Sequence, residues 1–596
     1  MSLEDSGFKF NDIIYRKPWK GKPKKVITDV IGFDTEAYSN GQPFLYCTAL
    51  GDSFEYDEIP ECLFSAKYRS RHFVVYNIRY EIGALTYNLP LDKKVILKDE
   101  NTVIHNGFKY SVIPGKFIRI ADGVHAVSFS DLQPFFRSSL DNAARKHLGE
   151  RKLGLRTKKF TSKYVARFKN SIIKYCIRDA ELTKKLGDLL LKSLNRYDIY
   201  PSDLYSPASV GFCYFKQQGK IIDVWHYWIR HRELLRMAWE SYSGGKFEAY
   251  ARGKFSGYIF DINSAYPYEM MNLIDITRAR VSRTKKYQPA ATYGLMRVYI
   301  PDMNDIFHPI AVKMKGVDMY PVGSFNATIT KAEYLFLRKH KVEVRILDAY
   351  WLFADCKIYP YRKTILKLHK LKNQFAGKDD MMYNIAKLML NSFYGKMCQK
   401  ILDPKGRLRV SAAWNPVYAA IITANVRIRL SDIQNKLGRD CLAVHTDSII
   451  TSIKPDCLNM GENIGDWKEE KAGSGVIIST GIYQIGDKTA DRGYKTIKGH
   501  SWLKTLKKMK HKAKITLNEI RVLTWRYAVR LGRPDEVNRF VRVNKVFDVN
   551  SEKKRIWPIQ ADAERILTET DYSIPKPLFQ EPKKFKFKPY GYKVGS

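Results

Sequence analysis

Several carboxylates in this 596-residue chain stand where a stiff backbone can aim them at a metal ion. Asp34 and Glu36 follow the strand-forming run 26–33 at positions i and i+2, so both fall on one face of the pleat and can hold a divalent cation between them. Asp261 ends another such run, Tyr258-Ile-Phe-Asp261. Asp447 lies in Leu442-Ala-Val-His-Thr-Asp447-Ser-Ile-Ile450, two apolar runs around a polar tip of His445, Thr446, Asp447 and Ser448. That pattern reads as a buried hairpin presenting a carboxylate from a rigid support. Tyr175 and Asp179, at i and i+4 in a helically spaced stretch, put a hydroxyl and a carboxylate on one face. Lys387, Asn391 and Tyr394 do the same at i, i+4 and i+7. A cation beside polar and aromatic groups suits a triphosphate with a base stacked beyond it. Each cluster alone is common in proteins that do no chemistry; the case rests on their company.

The elements that must position these groups are legible in outline. Val74-Val75-Tyr76-Asn77 reads as a strand running into Ile78-Arg79-Tyr80-Glu81, and residues 170–186 have helical spacing around Tyr175 and Asp179. Residues 361–378 and 380–396 read as two helices joined near Gly377-Lys378-Asp379. Leu388 and Met389 of the second helix face a core, leaving Lys387, Asn391 and Tyr394 on the other side. The paired glycines of Tyr242-Ser-Gly244-Gly245 permit a close backbone approach that side chains would block. The mixed, aromatic-rich stretch 195–230 carries no readable chemistry.

Composition narrows the class of partner. Lys and Arg number 102 against 61 Asp and Glu, a net charge of +41, and 45% of residues are hydrophobic. The hydrophobic fraction argues for several globular cores, and the excess of positive charge for a phosphate-backbone binder. Basic stretches such as 151–169 and 504–514 are interleaved with Tyr and Phe, which can stack on unpaired bases. No apolar run reaches the ~18 residues of a membrane span, so no membrane partner is expected. The eight cysteines include no CxxC pair, which points away from a zinc finger or disulfide framework and towards a reducing cytosol.

Asp34-Thr-Glu36, Asn77-Ile-Arg-Tyr80-Glu81 and Tyr175-Cys-Ile-Arg-Asp179 together resemble the three motifs of 3′–5′ proofreading exonucleases. The resemblance implies that Asp34, Glu36 and Asp179 hold two metals that activate water and clamp the scissile phosphate, with Tyr175 orienting the water and Asn77 touching DNA. Glu81 stands where that family has Asp. Further on, Tyr242-Ser-Gly244-Gly245 is similar to the YxGG motif of family B DNA polymerases, which contacts template strand. Asp261-Ile-Asn-Ser-Ala-Tyr266-Pro267 resembles their motif A, with Ala265 in place of Leu. Lys387-Leu-Met-Leu-Asn391-Ser-Phe-Tyr394-Gly395 resembles motif B, and His445-Thr-Asp447-Ser448 motif C. The resemblance implies that Asp261 and Asp447 hold two Mg²⁺ or Mn²⁺ ions, helped by the Ile262 carbonyl. It implies that Tyr266 packs under the incoming sugar and excludes a 2′-hydroxyl, while Lys387, Asn391 and Tyr394 receive the dNTP. One of Lys370, Lys372 or Lys378 would add a phosphate contact. Lys495 and Lys498 stand nearest to the family's primer-binding KxY motif, without its Tyr.

The implied architecture is α/β and α+β multidomain, an RNase H-like exonuclease domain followed by a right-hand palm, fingers and thumb. The expected divisions are 1–195 exonuclease, 196–250 linker and start of palm, 251–280 palm, and 281–358 an insertion of the protein-primed type with palm. Fingers follow at 359–397, palm with a short second insertion at 398–500, and thumb with a basic tail at 501–596. Length and the first insertion resemble the protein-primed clade of small phages and linear plasmids, where a terminal protein supplies the primer. The second insertion, 398–414, is short, and His445 replaces the first Asp of motif C. Both features resemble the primer-independent group of the family. The expected partners are template and primer DNA, dNTPs and, in the protein-primed alternative, a terminal protein. The chain is expected to act as a monomer in the cytosol of a bacterial host. The alternative from another class is a DNA-binding 3′–5′ exonuclease whose polymerase half only grips DNA.

Overall fold

The computed structural model describes residues 10, 13, 25–59, 61–155, 160–219, 221–222, 224–304, 306–314, 316–378, 380–402, 408–494, 500–533, 536 and 540–585. The N-terminal third is built on an eight-stranded sheet. Its centre is parallel: Ile31–Ala37 beside His72–Val75, and His72–Val75 beside Ala126–Asp131. Antiparallel strands flank that centre on both sides, Pro43–Thr48 and Ser53–Glu55 at one edge, Phe117–Ala121, Phe108–Ile113 and Thr102–His105 at the other. The strand expected over 26–33 begins at Ile31 and runs on to Ala37, so Asp34 and Glu36 project from within it rather than beyond its end.

A 34-residue helix, Ser162–Asn195, lies across this sheet and extends well past both ends of the expected 170–186. Thr161 starts it by accepting a hydrogen bond from the Tyr164 N–H, and Phe168 breaks its regularity at φ −120°, ψ 21°. The helix reaches Ile31–Ala37 because residue 32 is glycine: a Cβ there would lie 1.9 Å from the Ala180 carbonyl oxygen. That close approach brings Asp179 to Asp34.

A second eight-stranded sheet carries the other carboxylates. Its order runs Lys488–Asp491, Ile482–Ile485, Trp467–Ser479, Ala251–Ile262, Ser448–Thr451, Cys441–Thr446 and Lys246–Ala249, with Asp571–Tyr572 also pairing to Ala251–Ile262. The hairpin read from sequence is present, with His445 opposite Ser448 and Asp447 at the turn. Asn415 caps a buried helix, Pro416–Leu437, by accepting from the Tyr418 N–H, and this helix packs on Arg232–Ser241 and Ala265–Met271 behind the sheet. The expected helix pair appears as Arg362–Phe375 and Asp380–Lys396, packed on each other.

Residues of the expected first insertion supply most of a five-stranded sheet, one edge strand of which comes from the C-terminal segment. Its order is Arg280–Arg283, Arg345–Phe353, Tyr293–Met303, Val322–Thr330 and Pro577–Phe579. The short second segment is a hairpin of Lys400–Leu402 with Leu408–Val410, its tip outside the described residues. Near the C-terminus, Trp502–Met509 is helical and Lys514–Val522 pairs with Phe540–Asp548. One apolar core runs from Leu186 and Leu190 of the long helix through Met389 and Phe393 to Trp414 and Val417. The two catalytic-looking regions are thus joined by packing and not by a tether alone. Among the described residues, no helix is long and apolar enough to cross a membrane.

Candidate active sites

Asp261 and Asp447 are brought together by strand pairing. Asp261 stands opposite Ser448 in the sheet, and the Ile262 N–H donates to the Asp447 carbonyl oxygen at 2.9 Å. Thr446, in the left-handed region at φ 60°, turns the hairpin and donates its hydroxyl to Asp447 Oδ1 at 2.7 Å. Burial raises the Asp261 carboxyl to about 7, with the Asp447 charge adding to the rise and the Lys468 and Lys387 charges opposing it. Asp447 is likewise raised, first by burial. Two half-buried carboxylates held against their mutual repulsion form an oxygen donor set that a hard divalent cation fits.

Around this pair the structure gathers most of the other expected residues. Tyr266, 7% exposed, stacks on Tyr394 with ring centroids 4.3 Å apart and planes 7° from parallel, and its hydroxyl donates to the Thr446 carbonyl at 3.4 Å. Gly245 backs onto both groups, for a Cβ there would lie 2.4 Å from the Tyr266 hydroxyl and 2.9 Å from Thr446 Cα. The neighbouring loop is held by the fully buried Arg427, which donates to the Ser243 and Gly244 carbonyls and pairs with Glu333 at 2.7 Å. The Gly244 N–H donates to Asp318, and burial pushes the hydroxyl of half-buried Tyr242 upward.

From Asp380–Lys396, Lys387 is exposed, with Nζ 5.7 Å from the Tyr383 ring centre, and Asn391 Oδ1 accepts no hydrogen bond among the described residues. Of Lys370, Lys372 and Lys378, Lys372 is the one bonded to the segment that follows Asp261. It is buried and donates to Asn263 Oδ1 at 2.9 Å and Ser264 Oγ at 3.3 Å. Burial, with Lys468 and Lys387 nearby, lowers it to about 8.

His445 does not bring positive charge to this centre. Its ring is sandwiched between Tyr483, stacked at 4.8 Å and 7°, and Phe247 at 4.9 Å. Burial, aided by Lys488 and Arg492, lowers it to about 3, so it is neutral near pH 7. Lys495 and Lys498 lie outside the described residues.

The N-terminal cluster is tighter. Asp34 is raised to about 8 by burial and then by Asp179, with Lys152 and a hydrogen bond from Cys176 pulling the other way. Glu36 is raised by burial and the charges of Asp34 and Asp179. Asp179, 2% exposed, forms an ion pair with Lys152, whose Nζ also lies 5.0 Å from the Tyr175 ring centre. Burial opposes the charge on Lys152, but Asp179 and Tyr175 outweigh it and the ammonium is held above its usual range. Burial and Asp179 raise the Tyr175 hydroxyl to about 12. Asn77 begins the helix Ile78–Leu85 at φ 86°, and Glu81 within that helix is buried, raised by burial and by Asp34. The donor set again fits a cation: the four carboxylates Asp34, Glu36, Glu81 and Asp179 act on one another, with Lys152 the lysine beside them among the described residues.

Four residues in these centres were not singled out from sequence: Lys468, Lys152, Cys176 and Tyr483. Lys468 Nζ lies 3.7 Å from Asp261 Oδ2, and Lys152 belongs to the basic stretch that composition had marked only as backbone-binding.

A family model described as DNA polymerase type B, organellar and viral, matches residues 141–407. A DNA polymerase of Acidianus bottle-shaped virus is 25% identical over 266 residues, covering 41% of this chain and 38% of that protein. A probable DNA polymerase of Ascobolus immersus is 25% identical over 260 residues, 40% of this chain and 21% of that one. The alignments thus span less than half the length of these curated relatives. In overall fold the chain is similar to Phi29 DNA polymerase complexed with primer-template DNA and incoming nucleotide, with a TM-score of 0.60 and 14% identity over 88% of this chain and 100% of that one. Phi29 DNA polymerase complexed with single-stranded DNA gives a TM-score of 0.55 at 15% identity.

Proposed function

We propose that this chain is a member of the organellar and viral type B DNA polymerases, whose family model matches residues 141–407, and acts as a DNA-directed DNA polymerase of a viral or mobile-element genome with an associated 3′–5′ exonuclease. The observation that carries the reading is the approach of Asp261 to Asp447 on adjacent strands, next to the Tyr266–Tyr394 stack and with the Lys387, Lys372 and Lys468 charges nearby. Asp261 and Asp447, with the Ile262 carbonyl, would hold two Mg²⁺ or Mn²⁺ ions. Such ions lower the pKa of the primer 3′-hydroxyl and neutralise charge building on the pyrophosphate. Lys387 and Lys372 offset the triphosphate charge, Asn391 and Tyr394 position the nucleotide, and Tyr266 leaves no room for a 2′-hydroxyl. The loop of Tyr242, Gly244 and Gly245 contacts the template strand. Asp34, Glu36 and Asp179 would hold the ions of the exonuclease centre, with Tyr175 and Lys152 orienting water and phosphate, Asn77 at the DNA strand and Glu81 in reserve beside Asp34.

The division into exonuclease (1–195), linker, palm, fingers (359–397) and thumb (501–596) belongs to this reading. So do action as a monomer in the host cytosol and Lys495 and Lys498 as primer-strand contacts. For initiation, the removal of an anion at residue 445 in favour of a neutral ring stacked on Tyr483 supports synthesis without a pre-existing primer. The alternative is a primer hydroxyl donated by a terminal protein seated on the 281–358 insertion.

The test is extension on single-stranded circular DNA with Mg²⁺ and dNTPs, with and without an annealed primer, beside an Asp447→Ala control. Product in both lanes that falls on the order of 10³-fold or more in the control supports the full reading. Product only with the annealed primer retains the polymerase and removes primer-independent initiation. Degradation without extension in every lane would overturn the polymerase assignment.

A further inference from the structure

The N-terminal carboxylate cluster contains sulfur. Cys176, the residue after Tyr175, is fully buried, and its Sγ lies with a carboxylate oxygen of Asp34 and one of Glu36 in a group whose atoms are all within 4.8 Å of one another. Its thiol donates a hydrogen bond to Asp34. A second thiol, the equally buried Cys47, stands opposite Asp34 in the neighbouring strand and is hydrogen-bonded to Cys176. The 2%-exposed Glu81 lies close enough for the Asp34, Asp131 and Glu36 charges to act on it, and its Oε2 accepts no hydrogen bond among the described residues. A buried carboxylate oxygen that accepts no hydrogen bond among the described residues, in the field of two further carboxylates, is a donor that a cation would satisfy.

We propose that Asp34, Glu36 and Cys176 form a mixed carboxylate–thiolate site that binds a thiophilic divalent ion, Zn²⁺ or Cd²⁺, more tightly than Mg²⁺. Bond lengths of roughly 2.0–2.3 Å place neighbouring ligand atoms around a tetrahedral ion about 3.5 Å apart, so side-chain shifts of about 1 Å close the observed triangle. Binding forms a metal–sulfur bond and releases the Cys176 thiol proton to solvent, while Cys47 is placed to donate to the resulting thiolate. Thiolate selects zinc and cadmium over magnesium, whereas the oxygen donors of Asp261 and Asp447 do not. Zinc would therefore occupy the exonuclease centre at concentrations that leave the polymerase centre to Mg²⁺. The inference rests on reading Asp34 and Glu36 as metal ligands, and it is independent of whether the centre cleaves DNA.

Titration of the reduced full-length chain with Cd²⁺ in the absence of Mg²⁺ tests it through the ultraviolet sulfur-to-cadmium charge-transfer band. The expected result is a band saturating at one equivalent, kept when the exposed Cys356 and Cys457 are changed to Ser and lost in Cys176→Ser. Cd²⁺ affinity in Cys176→Ser should fall about tenfold or more. A band that persists in Cys176→Ser, or that disappears with the exposed pair, overturns the proposal. Should Cys176→Ser fail to fold, X-ray absorption of Zn²⁺ bound to the unmodified chain decides: one sulfur scatterer supports the site, and an oxygen-only shell overturns it. Mg²⁺-dependent 3′-end degradation is scored separately. A band without degradation keeps the metal site and removes the nuclease reading; degradation without a band does the reverse.

Discussion

Lys468 lies 3.7 Å from the Asp261 carboxylate with its side chain 45% exposed, where a metal ion and a triphosphate would both compete for its charge. In the absence of substrate it lowers the repulsion between Asp261 and Asp447; with a dNTP bound it can turn to the phosphates. Replacing it with Ala removes a competitor for the cation and a partner for the anion. The Mg²⁺ concentration giving half-maximal extension should fall, and the KM for dNTP should rise about three- to fivefold, since a half-exposed pair is worth on the order of 1 kcal/mol. Steady-state extension at varied Mg²⁺ and dNTP separates the two effects. Movement of both parameters in the same direction would place Lys468 outside the phosphate path.

At the scale of elements, the site depends on how closely the strand Lys246–Ala249 and its preceding loop approach the hairpin. Thr446 pairs with Lys246, and Gly245 fills the angle between Thr446 and Tyr266. The Tyr266 ring cannot retreat because Tyr394 stacks on its face, and Thr446 cannot because its backbone carries Asp447. Gly245→Ala should therefore cost about 1–3 kcal/mol of stability by overpacking. It should lower polymerisation on the order of 10²-fold by misplacing Asp447 and Tyr266, with 3′-end degradation unchanged. Thermal melts, extension rates and degradation rates on one preparation check all three.

Gly245 was legible in the sequence because only glycine meets such an approach, whereas a Cβ on Gly244 would meet nothing nearer than Asp318 Oδ2 at 3.9 Å. The carboxylates and the Lys387 helix face were legible because their chemistry fixes residue type and spacing. Lys468 was not. It faces Asp261 because the pairing of Ala251–Ile262 with Trp467–Ser479 slips between Ile259, opposite Lys471, and Phe260, opposite Glu469. A register irregularity of that kind has no local sequence signature. Lys152 and Cys176 were hidden for a related reason: their partners Asp179, Asp34 and Glu36 meet them only after a helix has docked on a sheet.

At the scale of the molecule, the C-terminal segment returns to brace the strand that bears Asp261. Asp571–Tyr572 pairs with Ala251 and Arg252, and Asp571 bonds the Arg252 guanidinium at 3.1 Å across a sequence separation of 319 residues. The Arg252 side chain is 0% exposed and also donates to Asn550 and to the Ile559 carbonyl. Burial alone would raise the Asp571 carboxyl, but hydrogen bonds from Arg565 and Arg252 outweigh it and hold the carboxyl below its usual range. A carboxyl lowered on folding stabilises the native state fully above its unfolded pKa of about 3.9, and the contribution is lost as pH falls through the folded value. Asp571→Asn should therefore cost about 3 kcal/mol at pH 7, where it leaves a buried guanidinium without its counter-charge. The gap in melting temperature between the two proteins should narrow as pH falls below about 4. A gap that stays constant down to pH 2 would mean that Asn550 and the Ile559 carbonyl alone hold Arg252, and that the C-terminal strand is dispensable to the sheet it flanks.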